Sequence, residues 1–320
     1  MDKARFDALT KGLAAGATRR RVLGGLTGGA AILGLGGLAG RETDARKKGK
    51  GKGKGQGKCN GQNKKRCGGK CVKVNSNANH CGDCGTSCGK GGACTDGVCT
   101  LVVVTDKHLN GWSIRDNAPD RTNGPVAFVV GPETPPLGTG SVQFTTRSGA
   151  GINDKSTLAN ATWANTKVAD LVTLKYNTYV TDGGTSHNIA PAIKLEITSS
   201  KIEGGTFGTL IFEPVYFGAA ESVEEGEWQS WNALDAQAKW WFTKNVPDPG
   251  NPGQYLVCNP NNPPAGCSNQ FVPWSQILAA LSDAAIDTLL LETGSGTPDT
   301  IGSVDQLQVN ATTYDFEPNP

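Results

Sequence analysis

From Leu101 onward, apolar and polar residues alternate in short runs that Gly, Pro, Asn and Asp interrupt. Ile193, Leu195 and Ile197 alternate with Lys194 and Glu196. That period of two puts three aliphatic side chains on one face of a strand and two charges on the other. Comparable runs recur at residues 126–130, 141–145, 171–181, 209–212, 228–231, 239–242, 288–292, 304–309 and 313–316. In 171–181, Val172, Leu174 and Tyr176 are expected on one face, with Thr173, Lys175 and Asn177 on the other. One segment reads as a helix: 273–282 opens with proline and spaces Trp274, Ile277, Leu278 and Leu281 at helical intervals. About ten strands and one short helix predict a mainly β, antiparallel sandwich over residues 101–320.

Upstream of this body the pattern changes twice. Residues 22–38 are apolar, but seven of these 17 are glycine, which keeps them well below the hydrophobicity of a membrane span. Thr18-Arg19-Arg20-Arg21-Val22-Leu23 stands directly before them. This layout resembles the bacterial twin-arginine export signal, which implies that residues 1–45 are an address and that the mature chain is extracytoplasmic, secreted or at the cell surface. Small residues place cleavage after Ala39 or Ala45, and retention as an anchor is the alternative.

Charge divides the chain. Residues 1–66 carry 17 Lys/Arg against 4 Asp/Glu, whereas residues 100–320 carry 11 against 23. Residues 46–58 are a Lys/Gly tract with no apolar side chain to bury, and they read as a disordered linker. Such a tract acts as a solvated tether or attaches to an anionic wall polymer or membrane surface. Nucleic acid is disfavoured as a partner because the acidic body would be repelled.

Eight cysteines fall in residues 59–99: Cys59, Cys67, Cys71, Cys81, Cys84, Cys88, Cys94 and Cys99. The large apolar residues between them are Val72, Val74 and Val98, too few for a core, so cross-links must replace one. After an export signal, an even count reads as four disulfides, with 105 pairings open. A zinc or iron–sulfur site is the competing reading, but Cys81-x2-Cys84-x3-Cys88 matches neither ligand spacing fully. The run from Cys71 through His80-Cys81-Gly82-Asp83-Cys84 to Val98-Cys99 resembles a small Cys-rich module of bacterial secreted and surface proteins. Cys258 and Cys267 bracket a Pro/Asn loop and are expected to staple it.

Gly140-Ser141-Val142-Gln143-Phe144, Phe212-Glu213-Pro214, Trp228-Gln229-Ser230-Trp231 and the closing 304–309 and 314–317 segments resemble bacterial concanavalin-like, jelly-roll domains. The resemblance implies a jelly-roll sandwich, sugar binding and a structural calcium near the terminal strands. Trp228, Trp231, Trp240 and Trp241 are the candidate ligand-binding rings, since flat aromatics stack on sugar faces. Strand parity sends Trp240 and Trp241 to opposite faces. Asp305 and Asp315 are candidate calcium ligands, Asp305 because its parity with Leu307 and Val309 turns a carboxylate inward, where it needs a partner. Glu224, Glu225 and Glu227, beside Trp228, are the carboxylates available to a glycoside-active enzyme. The sequence has no nucleophile elbow, zinc-protease motif or Glu-x-Asp-x-x-Glu string. The favoured expectation is a non-catalytic, surface-exposed binder of glycan or wall polymer. The alternatives are that enzyme or a purely structural surface protein.

Overall fold

A computed structural model describes residues 59–89, 92–115, 122–149, 153–184, 189–218, 223–294 and 298–319. The export signal and the Lys/Gly tract lie outside the described residues. In the Cys-rich module, β1 (Lys64–Cys67) and β2 (Lys70–Lys73) form a hairpin, followed by β3 (Ala93–Thr95) and β4 (Val98–Val104). The body contains β5 (Trp112–Ile114), β6 (Thr122–Asn123), β7 (Val126–Val130), β8 (Gly140–Thr145), β9 (Asp154–Asn160), β10 (Leu174–Gly183) and β11 (Ala192–Thr198). It continues with β12 (Phe207–Phe217), β13 (Trp228–Asn232), β14 (Ala238–Phe242), β15 (Val246–Pro247) and β16 (Tyr255–Val257). Helix α1 (Trp274–Ala280), β17 (Ala285–Gly294), β18 (Thr300–Val309) and β19 (Thr312–Phe316) complete the chain.

The Gly68-Gly69 turn of the first hairpin has both residues at positive φ, 57° and 83°. That is the backbone a two-residue hairpin turn demands, and glycine adopts it without steric cost. All ten cysteines are bridged, as Cys59–Cys71, Cys67–Cys84, Cys81–Cys94, Cys88–Cys99 and Cys258–Cys267. No thiolate is left for zinc or iron, although the sulfurs of Cys81, Cys88 and Cys99 lie close together. Strand β4 joins the two parts: it pairs antiparallel with β3 in the module and parallel with β19 in the body.

Two sheets make up the body. One runs β13-β10-β18-β19-β4-β3, with β8 also on β18 and β7 on β8; the other runs β14-β12-β11-β17-β9, with β5 and β6 on β9. Their facing sides interdigitate. Tyr176 of β10 meets Phe212 of β12 at 6.2 Å, and Trp112 of β5 meets Tyr314 and Phe316 of β19 at 5.3 and 5.5 Å. Ile193, Leu195 and Ile197 are fully buried in this core, as their alternation requires. Helix α1 covers one end and sets Trp274 against Trp240 at 5.0 Å.

Two readings from parity change. Val172 precedes β10 and is 78% exposed, so it does not share a strand face with Leu174 and Tyr176. In β18 the register slips: Asn177 pairs with Asp305 but Lys175 with Gln308, and Gln306 has φ 49°. This bulge reverses the alternation after Asp305. Val304 and Leu307 both enter the core, and Asp305 points to the outer face of the sheet.

Candidate functional site

The four candidate tryptophans separate by strand parity. Trp240 is fully buried, donates its indole Nε1–H to Ala233 O at 2.7 Å and packs on Phe212. Trp231 is buried against Phe217 and donates to Thr178 Oγ1 at 2.7 Å. Both are core residues and present no ring to solvent. Trp228 is half-buried on the outer face of the β10 sheet, packed on Tyr179 and donating to Pro132 O at 3.0 Å. Trp241 faces the opposite side of the seven-stranded sheet from Trp240 but is also buried, 4% exposed, and donates to Glu213 Oε2 at 2.8 Å.

That outer face carries an unusual density of charge. Glu213 on β12, Lys194 and Glu196 on β11, Glu292 on β17 and Lys155 and Thr157 on β9 all alternate with core residues of their strands. Register puts Lys194 opposite Ile211 and Leu290, and Ala192 opposite Glu292, so Lys194 reaches Glu292 diagonally from two residues along β11. Lys194 Nζ donates to Glu292 Oε1, and Thr157 Oγ1 donates to Glu292 Oε2 at 3.0 Å. Lys155 Nζ sits 2.9 Å from the same Oε2. Arg115 grips Glu196 with two hydrogen bonds, 2.6 and 2.8 Å. From Trp241 to Lys155 the row crosses five strands, about 19 Å at the usual interstrand spacing.

The two acids in this row are driven in opposite directions. Burial raises the proton affinity of Glu213, against the pull of Lys194 and the Trp241 hydrogen bond, and the Glu292 charge raises it further. Burial acts the same way on Glu292, but Lys194 and Lys155 outweigh it and hold that carboxyl down to about 2. Tyr216, whose ring packs 4.5 Å from that of Phe271, is pushed up by burial and by the neighbouring Glu213 charge. Glu292 and Glu196 therefore have both oxygens committed. In Glu213, Oε2 accepts from the Trp241 indole.

A second polar cluster lies under the loop 131–139, on the outer face of the other sheet. Asp305 is fully buried, accepting from Leu137 N at 2.9 Å and Phe316 N at 3.3 Å, and burial pushes it up to about 7. Asp315 is 7% exposed, and its Oδ1 has no hydrogen-bond partner. Burial and then Glu317 push it up to about 6. Glu317 accepts from Thr139 N at 2.6 Å, Thr139 Oγ1 at 3.0 Å and Gly140 N at 3.2 Å. The Ser303 hydroxyl, two residues before Asp305, is also buried without a partner. A Cβ at Gly138 would collide with Glu317 Oε1 and come within 3.2 Å of Asp315 Oδ1, so only glycine lets the Glu317 carboxylate pack against this turn. Orphaned oxygens beside carboxylates of raised proton affinity are the donor chemistry of a hard cation that takes oxygen ligands.

Glu224, Glu225 and Glu227 are exposed, and Glu225 Oε1 accepts Gly183 N at 2.8 Å. They do not converge with the Trp241 row.

Residues 42–102 match the Stigma-specific STIG1-like protein family. This STIG1-like module is disulfide-rich, of a type that suggests an extracellular protein. No curated protein matches the chain. Among solved structures, an arabinose-bound α-L-arabinofuranosidase, MgGH51, aligns over 63% of this chain and 24% of its own, at 13% identity and a TM-score of 0.29. That score is too low to speak for a shared fold. The Trp241 row escaped the sequence reading because its members come from five strands. The one local signal was a charge, Glu213, ending the apolar run Leu210-Ile211-Phe212.

Proposed function

We propose that this chain is an extracytoplasmic, non-catalytic protein, exported by the twin-arginine route, whose jelly-roll sandwich binds a glycan on the outer face of its seven-stranded sheet. The observation that carries this reading is the Trp241–Glu213–Lys194 row. It sets the edge of a buried indole, a half-buried carboxyl of raised proton affinity and an ammonium group close together on a rigid sheet. Sugar hydroxyls both donate and accept, and such a mixed polar row on an apolar floor answers them. Retention on insoluble polysaccharides tests it. Glu213→Ala is expected to weaken binding about tenfold, a loss of about 1.4 kcal/mol, measured at a temperature where the variant, which loses the acceptor of the buried Trp241 indole, is still fully folded. Equal retention of both forms, or retention of neither, counts against the reading.

A glycoside-active enzyme is the second reading. One observation favours it: Glu213 and Glu292 share a face while their environments push their proton affinities apart, as in acid/base pairs. Against it, both oxygens of Glu292 are tied to lysines and a threonine. Reducing-sugar release that disappears in Glu213→Gln would favour the enzyme.

A structural calcium completes the proposal, held by Asp305, Asp315 and Glu317 beneath the loop 131–139. Supporting it are the unpartnered Asp315 Oδ1 and the close approach of the Glu317 and Asp315 carboxylates to Gly138. Calcium is expected to raise the melting temperature of the EDTA-treated protein. Asp315→Asn should abolish that response while raising stability in EDTA, because it removes an unpaired buried charge. An identical calcium response in the variant contradicts the site.

A further inference from the structure

We propose that the β1–β2 hairpin of the STIG1-like module is a docking surface for a phosphodiester polyanion of the cell wall. The hairpin presents Lys64, Lys65, Arg66, Lys70 and Lys73, all exposed. Lys64 stands directly opposite Lys73 across the ladder. Like charges at directly opposed positions destabilise a strand pair, so this arrangement costs stability that a bound anion would return. Lys65 is the exception among the lysines, paired to Asp83 at 3.2 Å. Lys64, Lys70 and Lys73 form no ion pair among the described residues; the other acid of residues 59–99, Asp96, lines a shallow pocket with Lys64 and Lys65 without pairing to Lys64, and neither Lys70 nor Lys73 borders it.

The backbone that carries these cations is fixed. Cys59–Cys71 and Cys67–Cys84 clamp both strands, and the Arg66 guanidinium donates to Gly69 O at 2.8 Å across the turn. A rigid array loses little freedom when it binds, which raises affinity over that of a loose lysine tail. In sequence, the hairpin continues a run in which residues 46–73 contain no acid. The acidic body, 11 Lys/Arg against 23 Asp/Glu over residues 100–320, repels the same polymer, so attraction concentrates in the module.

Polymer is favoured over bilayer by what the module lacks. Residues 59–99 contain no Phe, Trp, Tyr, Leu, Ile or Met, and surfaces that seat in a membrane interface use such side chains. Lysines act as point charges that suit phosphate. The inference does not depend on the glycan reading of the sandwich.

The test is binding of the full chain to poly(glycerol phosphate), against polygalacturonate and against phosphatidylcholine–phosphatidylserine vesicles. The combined Lys64→Gln and Lys73→Gln variant is expected to bind poly(glycerol phosphate) about 25-fold more weakly, at about fivefold per lysine. Its module should be at least as resistant to unfolding as the native one, since the opposed charges are gone. Lys107→Gln, an exposed change on the body, should leave binding intact. Unchanged affinity in the double variant overturns the proposal. So does an equal loss in Lys107→Gln, tighter binding to polygalacturonate, or tighter binding to the vesicles, which would assign the surface to lipid.

Discussion

Replacing Cys88 and Cys99 together with serine is expected to unfold the STIG1-like module and leave the sandwich intact. The module has almost nothing else to hold it. Its buried apolar residues are Val74 and the half-cystines Cys67, Cys81 and Cys88. A bridge closing a loop of 11 residues stabilises by about 3 kcal/mol in the chain-entropy account, a large share of what so small a unit can possess. The double change avoids a stray thiol that could exchange with the other pairs. Because all seven tryptophans lie beyond residue 111, their fluorescence reports on the body alone. Limited proteolysis should cut within residues 59–99 of the variant while tryptophan emission stays native. A module that resists protease after loss of this bridge would show that something other than sulfur holds it.

Glu292→Gln should cost the sandwich about 3 kcal/mol, a fall in melting temperature of about 6–12 °C for a body of this size. The carboxylate is 2% exposed and is the shared counter-charge of Lys194 and Lys155. Removing it takes the counter-charge from two ammonium groups, of which Lys194 is itself mostly buried. The same interaction sets an acid limit. The carboxyl titrates near 2 in the folded chain and near its ordinary 4.5 when unfolded. Its contribution is therefore complete above pH 4.5 and is lost as pH falls towards 2. Native protein should lose stability through that window more steeply than Glu292→Gln, as thermal unfolding at a series of pH values would show. Parallel acid profiles would place the stabilisation elsewhere.

Local pattern made much of this fold legible. The alternation around Ile193 set one strand and its buried face, and the Pro273 start with its spaced apolar residues set the helix. Parity set Trp240 and Trp241 on opposite faces, but it did not show that both are buried. Scarcity of apolar side chains between the cysteines was enough to require cross-links, but spacing could not choose among pairings; proximity in the folded module does that. Asp305 was misplaced because a bulge at Gln306, invisible in an otherwise regular Val/Leu alternation, turns the carboxylate to the other face. The Lys194–Glu292 contact joins residues 98 positions apart, and the parallel pairing of β4 with β19 joins the two ends of the described chain. Sites built from such pairings are set by register between distant strands, which no local window contains.

The account rests on Trp241 and Glu213 forming the floor of a glycan site on the seven-stranded sheet. Indole N–H resonances of the 15N-tryptophan-labelled protein, followed during titration with soluble polysaccharides, test this most directly. The Trp241 resonance should move with a matching polysaccharide, while those of the core residues Trp231 and Trp240 stay in place. A titration that moves Trp228 alone, or moves no indole with any polysaccharide, would contradict it.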